Sequence, residues 1–181
     1  MMLDFLGSKA PVRILEFFCM NPGEEFFSKE VGEELDLSKA TTIKWLNKLT
    51  EKEILAKTPR GRKKIYRLNW GNPLARQIRT MLTLSKLLPT LRNKTDLRAA
   101  YLIGESARGT DSPDSPVELL ILNRGSKKQI QKSLNKVSNK IERPIEARIM
   151  TPLEYGELSS KNPKLHEKLE REKIRLVLPR K

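Results

Sequence analysis

The sequence predicts an α+β chain built in two parts and joined by a long helix. Three observations predict it. In residues 1–71 the apolar and turn-forming positions fall in the order helix, short strand, helix, turn, helix, hairpin. Residues 72–95 carry a long amphipathic pattern that opens on Pro73. Residues 96–181 alternate short apolar runs with helical repeats, the pattern of an α/β domain with a small mixed sheet.

In the first part, Ser8 is a suitable N-cap. Val12, Leu15 and Cys19 follow on one helical stripe, with Ile14 and Phe18 beside it. Asn21-Pro22-Gly23 stops this helix. Glu25-Phe26-Phe27 is short and aromatic, which suits a small strand. Ser28 caps a second helix with Val31 and Leu35 inward, and Asp36-Leu37 makes a tight turn. Ser38 caps a third helix to about Glu51, in which Thr42, Leu46 and Leu49 recur at helical spacing. Two β-prone runs, Ile54 to Lys57 and Lys64 to Leu68, flank a basic turn at Pro59 to Arg62 and read as a hairpin.

Asn69 to Pro73 marks a boundary. Leu74, Ile78, Met81, Leu82, Leu84, Leu87 and Leu88 then mark the linking helix. Beyond it, Ala99 to Ile103 and Val117 to Leu122 are apolar strand runs. Ile130, Leu134, Val137 and Ile141 mark a helix. Ile145, Ala147 and Ile149 alternate with Glu146, Arg148 and Met150, as a half-exposed strand does. Two short helices, near Thr151 to Ser160 and Asn162 to Arg171, precede a last strand at Ile174 to Leu178.

Composition narrows the function. The 181 residues include 36 Lys and Arg against 22 Asp and Glu, a net charge of +14, and such an excess favours a polyanionic partner. Its distribution favours nucleic acid over an anionic membrane. Residues 38–67 hold ten basic and two acidic side chains, a net +8, whereas residues 1–37 hold three basic and eight acidic ones, a net −5. Within residues 1–67 the positive charge is thus confined to the third helix and the hairpin. One cysteine forbids an internal disulfide. No run approaches the ~20 apolar residues of a spanning helix, and Met1 to Cys19 lacks a signal peptide's apolar core. A soluble cytoplasmic protein with no membrane partner is expected.

The run LDLSKATTIKWLNKLTEKEILAK, Leu35 to Lys57, resembles the helix-turn-helix and first wing strand of winged-helix regulators of the MarR/ArsR kind. That resemblance covers about Pro11 to Leu68. It implies a recognition helix in the major groove of double-stranded DNA and a hairpin wing on the backbone or minor groove. Ser38, Lys39, Ala40, Thr41, Ile43 and Lys44 then face the groove. Small and hydroxyl-bearing residues allow close approach, and a Thr or Ile methyl can meet a thymine methyl. Lys48, Arg60, Arg62, Lys63 and Lys64 contact phosphates. Trp45 is expected to pack rather than touch bases, and Phe26 and Phe27 to serve the core or strand.

The run LIGESARGTDSPDSPVELLIL, Leu102 to Leu122, resembles the signature of the polymerase-beta-like nucleotidyltransferases in their small bacterial and archaeal form. In that pattern a Gly-Ser turn opens a helix whose amides cradle a triphosphate, and a D-x-D on the next strand holds metal ions. Gly104, Ala107, Arg108, Gly109 and Ser115 match. Glu105 stands where the family has serine, and Pro116 replaces the first aspartate. Glu118 replaces the second, Glu146 is a candidate third carboxylate, and Asp111 and Asp114 lie before the strand. The resemblance therefore implies a degenerate nucleotide site at Gly104, Glu105, Arg108, Gly109, Ser115 and Glu118. No catalytic residue, metal or cofactor is assigned. Residues 145–178 are also similar to the tail of archaeal proteins that fuse the two domains.

The expected function is a DNA-binding transcription regulator whose second domain serves dimerisation or the sensing of a nucleotide or small-molecule effector. A homodimer is expected, with the linking helix as a pairing surface. The alternative is a metal-dependent nucleotidyltransferase targeted by its winged helix. Two weaker readings are a nucleotide-sensing regulator and a protein-only contact domain. Lys128, Lys132, Lys136 and Lys140 recur every four residues, either as a solvated helix face or as an auxiliary phosphate-contacting surface. His166, the one histidine, is expected on an exposed helix without a role.

Overall fold

The structure is a computed structural model that describes residues 9–91, 99–112 and 114–177. It is mixed α+β with two small sheets and divides into two compact units, residues 1–82 and 83–181. The Ser8 cap and Leu178 lie outside the described residues.

The first unit runs α1 (Lys9–Met20), β1 (Phe26–Phe27), α2 (Ser28–Glu34), α3 (Lys39–Glu51), β2 (Leu55–Arg60) and β3 (Lys63–Leu68). Its sheet has the order β1-β3-β2 with both pairings antiparallel. On α1 the buried residues are Ile14, Phe18 and Cys19, while Val12 and Leu15 are half-buried. The helix is therefore turned toward its Ile14/Phe18 side. Phe18 meets Phe17 and Phe26 edge-on at centroid distances of 5.4 and 5.9 Å, a favourable geometry for aromatic quadrupoles.

The cap of α2 also differs from expectation. Ser28 is its first helical residue and Phe27 its N-cap, because the Glu30 carboxylate accepts the Phe27 N–H at 2.7 Å. Ser38 caps α3 as expected, its hydroxyl accepting the Thr41 N–H at 3.2 Å. Thr42, Leu46 and Leu49 form the buried stripe of α3. Between the helices, Asp36 takes a left-handed φ of 46° and Leu37 N–H bonds the Gly32 carbonyl at 2.9 Å. A side chain at Gly32 would press on Thr42 Oγ1 at 3.2 Å and the Leu37 carbonyl at 3.3 Å, so glycine permits the close approach of α2 and α3.

The hairpin turn is tighter than expected. Pro59 and Arg60 belong to β2, with Arg60 opposite Lys63, which leaves only Gly61-Arg62 as the turn. Gly61 has φ +62°, a value glycine adopts without strain.

Helix α4 (Pro73–Leu91) starts on Pro73 as expected. Ala75, Ile78, Met81 and Leu82 pack in the core of the first unit. Leu84, Leu87, Leu88 and Leu91 pack in that of the second. Leu74 is exposed. Apart from Leu74, the apolar residues that the sequence offered for pairing thus pack, wholly or in part, in the two cores. Arg79 is buried and donates to the carbonyl of Cys19 at the end of α1.

The second unit continues with β4 (Ala99–Leu102), α5 (Gly104–Arg108), β5 (Val117–Leu122), α6 (Lys127–Ile141), β6 (Ile145–Met150), α7 (Pro152–Lys161), α8 (Pro163–Glu172) and β7 (Ile174–Val177). The sheet order is β6-β5-β4-β7. Strands β5 and β6 are parallel and the other neighbours antiparallel, so the sheet is mixed. Period-two alternation gives it two apolar faces. Leu102, Leu119 and Ile121 pack on α6 and the end of α4, while Ile103 and Leu120 pack with Leu165 and Leu169 of α8. All four members of the Ile130/Leu134/Val137/Ile141 stripe are buried.

Candidate nucleic-acid interface

Burying Thr42, Leu46 and Leu49 leaves Lys39, Ala40, Lys44 and Lys48 of α3 exposed on its outer side. Strand β1 seats the hairpin within the first unit, since Phe26 and Phe27 pair with Tyr66 and Ile65. A groove of about 540 Å³ lies between α3, the start of α2 and β3. Lys39, Ile43, Asn47, Arg62, Lys63 and Lys64 line it, with Phe27, Ser28, Lys29, Glu30 and Tyr66 also on its wall, Glu30 being the one acidic side chain there. Burial pushes the Tyr66 phenol up, so it stays a neutral hydrogen-bonding group in ordinary buffers.

The residues expected at this surface divide into several groups. Lys39, Ile43, Arg62, Lys63 and Lys64 come together on the groove. Ser38 and Thr41 are committed to the cap: Ser38 Oγ accepts the Thr41 N–H and donates to Thr41 Oγ1 at 2.9 Å. Their role is to fix the start of α3, and Ala40 supplies small exposed surface beside them. Lys44 and Lys48 hold their ammonium groups 5.8 and 5.0 Å from the Trp45 ring centroid. Trp45 itself is half-buried against the core, as expected. Arg60 faces Glu25 at 3.3 Å, so its charge is partly balanced within the chain. Lys63 lies 5.5 Å from the Phe27 ring centroid.

Asn47, Lys29 and Tyr66 were not among the expected residues. Asn47 sits four residues beyond Ile43 and eight beyond Lys39, so helical spacing alone would have found it. Lys29 and Tyr66 reach the groove only through the packing of α2 and β3.

In the second unit the residues expected at a nucleotide site are engaged with other groups of the chain. Gly104 has φ +64°, and a Cβ there would lie 1.9 Å from Glu118 Oε1. That oxygen accepts the Glu105 N–H at 3.3 Å, at the start of α5. Gly109 caps α5 with φ +66°, and Arg108 is paired with Glu172. Ser115 and Ser112 bond each other through their hydroxyls at 2.8 Å. Asp111 is buried and bonds Arg143 Nη2 at 2.6 Å and the Ser106 hydroxyl at 3.2 Å.

Glu118 and Glu146 are register partners on β5 and β6 and line a cleft of about 400 Å³ with Arg148 and Ile103. Among the described residues, no group of three or more His, Cys, Asp or Glu is placed to hold a metal ion. His166 is half-buried rather than exposed, its ring 5.5 Å from that of Tyr155. Nearby, burial would lower Lys173, but its bonds to Glu170 and Tyr155 outweigh that and hold it above the usual lysine range. The Lys173 and Tyr155 bonds hold Glu170 below the usual carboxylate range. This network ties Tyr155 of α7 to Glu170 of α8 and to Lys173 just after it.

Gly104→Ala is expected to cost about 1–2 kcal/mol from its left-handed backbone, with a further cost from displacing Glu118. Adding Glu118→Ala should recover the second part and leave the first. Urea unfolding checks this, and a Gly104→Ala protein as stable as the parent would refute it. No family model matches the chain, and no curated protein matches it.

Proposed function

We propose that the chain is a DNA-binding transcription regulator whose first unit is a winged helix-turn-helix, with α3 as recognition helix and the β2–β3 hairpin as wing. The observation that supports this best is the groove on which Lys39, Arg62, Lys63 and Lys64 converge beside Ile43 and Asn47. Lys39 of α3 and these three cations of the hairpin, with Lys29 beside them against the single carboxylate of Glu30, suit duplex phosphates, whose neutralisation releases counterions. Ile43 and Asn47 suit base edges, the first for a thymine methyl and the second for adenine. The second unit, read as a nucleotidyltransferase-like domain without activity, modulates binding through self-association or an effector. The chain acts in the cytoplasm.

The competing reading is a metal-dependent nucleotidyltransferase. Against it stand the Glu118 carboxylate at the start of α5, the pairing of Arg108 with Glu172 and the burial of Asp111 against Arg143. With magnesium and any of the four nucleoside triphosphates, no label should enter protein or small molecule. Metal-dependent labelling lost in Glu118→Ala would reverse the assignment.

The direct test is selection of bound fragments from random duplex DNA by the full chain. A common motif is expected, and a palindromic one would report a dimer on DNA. In a gel shift on that motif, affinity should fall with salt. Alanines at Lys39, Lys44 and Arg62 should weaken it by tenfold or more, a loss of about 1.4 kcal/mol for each factor of ten. Affinity insensitive to salt, or unchanged in the triple variant, would remove the reading.

A further inference from the structure

The positive charge is not confined to α3 and the hairpin. Residues 83–181 hold 21 basic and 12 acidic side chains, a larger excess than the 15 and 10 of residues 1–82. Its densest block is residues 124–143, with seven basic side chains and only Glu142 against them. Arg143 is turned inward to Asp111, and Lys127 lies in the field of Glu154. Arg124 precedes α6, which leaves Lys128, Lys132, Lys136 and Lys140 on the helix, all exposed. Among the described residues, none of these four makes an ion pair.

Four residues of helix rise about 6 Å, so the four ammonium groups form a band roughly 18 Å long. Like charges at this spacing repel one another. A line of anions laid along the band would relieve that repulsion. Gln129, Gln131, Asn135 and Asn139 are exposed among the lysines and offer amide donors of the kind that bond phosphate and sugar oxygens. A lipid surface fits less well. Helices that bind membranes bury an apolar face in the acyl region, whereas the apolar stripe of α6 is already buried in the core of its own unit. Among the described residues, the exposed large hydrophobic side chains are Met20, Leu74 and Leu153, none on α6.

We propose that this face of α6 is a second phosphate-contacting surface, through which the second unit holds duplex DNA without reading its sequence. The inference shares a ligand with the proposed function but none of its residues, so the two can fail separately.

The test compares the full chain with its K128Q/K132Q/K136Q/K140Q variant on random-sequence duplex DNA across a salt series. Each lost phosphate contact should make the slope of log affinity against log salt shallower by about 0.9, so a change of about 3–4 and at least a tenfold loss at low salt are expected. The motif selected from random DNA should not change. K132Q/K136Q, which alters only two exposed side chains, should show about half the slope change. Far-UV dichroism matching the parent shows that a variant is folded. An unchanged slope in both variants overturns the inference and leaves the proposed function standing. A loss in the α6 variants with no loss in the Lys39, Lys44 and Arg62 triple variant supports the inference and removes the proposed function. A parent chain that binds no duplex removes both. Vesicles of phosphatidylserine and phosphatidylcholine supply the last arm. If they sediment the parent but not the fourfold variant, while duplex binding is the same for both, the surface is a lipid one and the inference is overturned.

Discussion

Asp111→Ala is expected to destabilise the second unit by about 3–5 kcal/mol, because it leaves a buried guanidinium without its counter-charge. Asp111 is 1% exposed, and the Arg143 side chain is 10% exposed. One nitrogen of Arg143 gathers three acceptors: Asp111 Oδ2 at 2.6 Å, the Ser115 carbonyl at 2.7 Å and the Ser112 carbonyl at 3.2 Å. The pair therefore holds the segment between α5 and β5 as well as the charge. Arg143 Nε is buried without a partner, so the site has little left to compensate a further loss.

Removing both charges is different from removing one. Asp111→Asn with Arg143→Met should recover part of the single-variant loss, since an apolar replacement of a buried pair is often tolerated. Urea unfolding followed by far-UV dichroism measures this. Tryptophan fluorescence serves as an internal control, because Trp45 and Trp70 both lie in the first unit. A loss under about 1 kcal/mol for Asp111→Ala would place the pair among the energetically silent ones.

Phe18→Ala carries the second large effect, about 3–5 kcal/mol in the first unit. Phe18 is fully buried and touches Phe17 and Phe26 edge-on. The consequence extends to function, because Phe26 belongs to β1 and is the register partner of Tyr66 on β3, the strand that carries Lys63 and Lys64. A cavity beneath Phe26 loosens the seat of the hairpin. The tryptophan-monitored midpoint should fall, and binding to the selected DNA motif should weaken though no groove residue has changed. Phe18→Leu, which keeps most of the volume, should lose under about 1.5 kcal/mol and keep its DNA affinity. Equal losses for the two variants would mean that the aromatic cluster does not set the hairpin's position.

Much of the fold was legible in the sequence. Periodicity located most of the described helices and strands, because an amphipathic element must bury one face and its spacing reveals which period it follows; the two-residue β1 was read from its aromatic pair, and the five-residue α5 is too short to show a period. The Ile130/Leu134/Val137/Ile141 stripe and the Thr42/Leu46/Leu49 stripe are the clearest cases. Local chemistry was also legible where it is short-range, as at the Ser38 cap and the Pro73 helix start. It failed one residue away. Ser28 reads as a cap, but the Glu30 carboxylate had already selected Phe27 as the residue whose N–H it accepts. The turn at Gly61-Arg62 was set by the register of two strands, which runs to the Arg60–Lys63 pair.

By itself, then, the sequence determined a mixed α+β chain, its element order and a large positive charge. Those properties follow from composition and spacing, which are local. Only the tertiary structure decided what each charged side chain faces. Arg60 meets Glu25, Arg108 meets Glu172 and Arg143 meets Asp111, across separations of 35, 64 and 32 residues. No periodicity carries such pairings, because they depend on which elements become neighbours. The same packing left Lys39, Arg62, Lys63 and Lys64 around one groove and Lys128 to Lys140 along the open side of α6. A count of charges tells how many cations the chain has. Which of them remain available to a polyanion is settled by burial and by the partners the fold supplies.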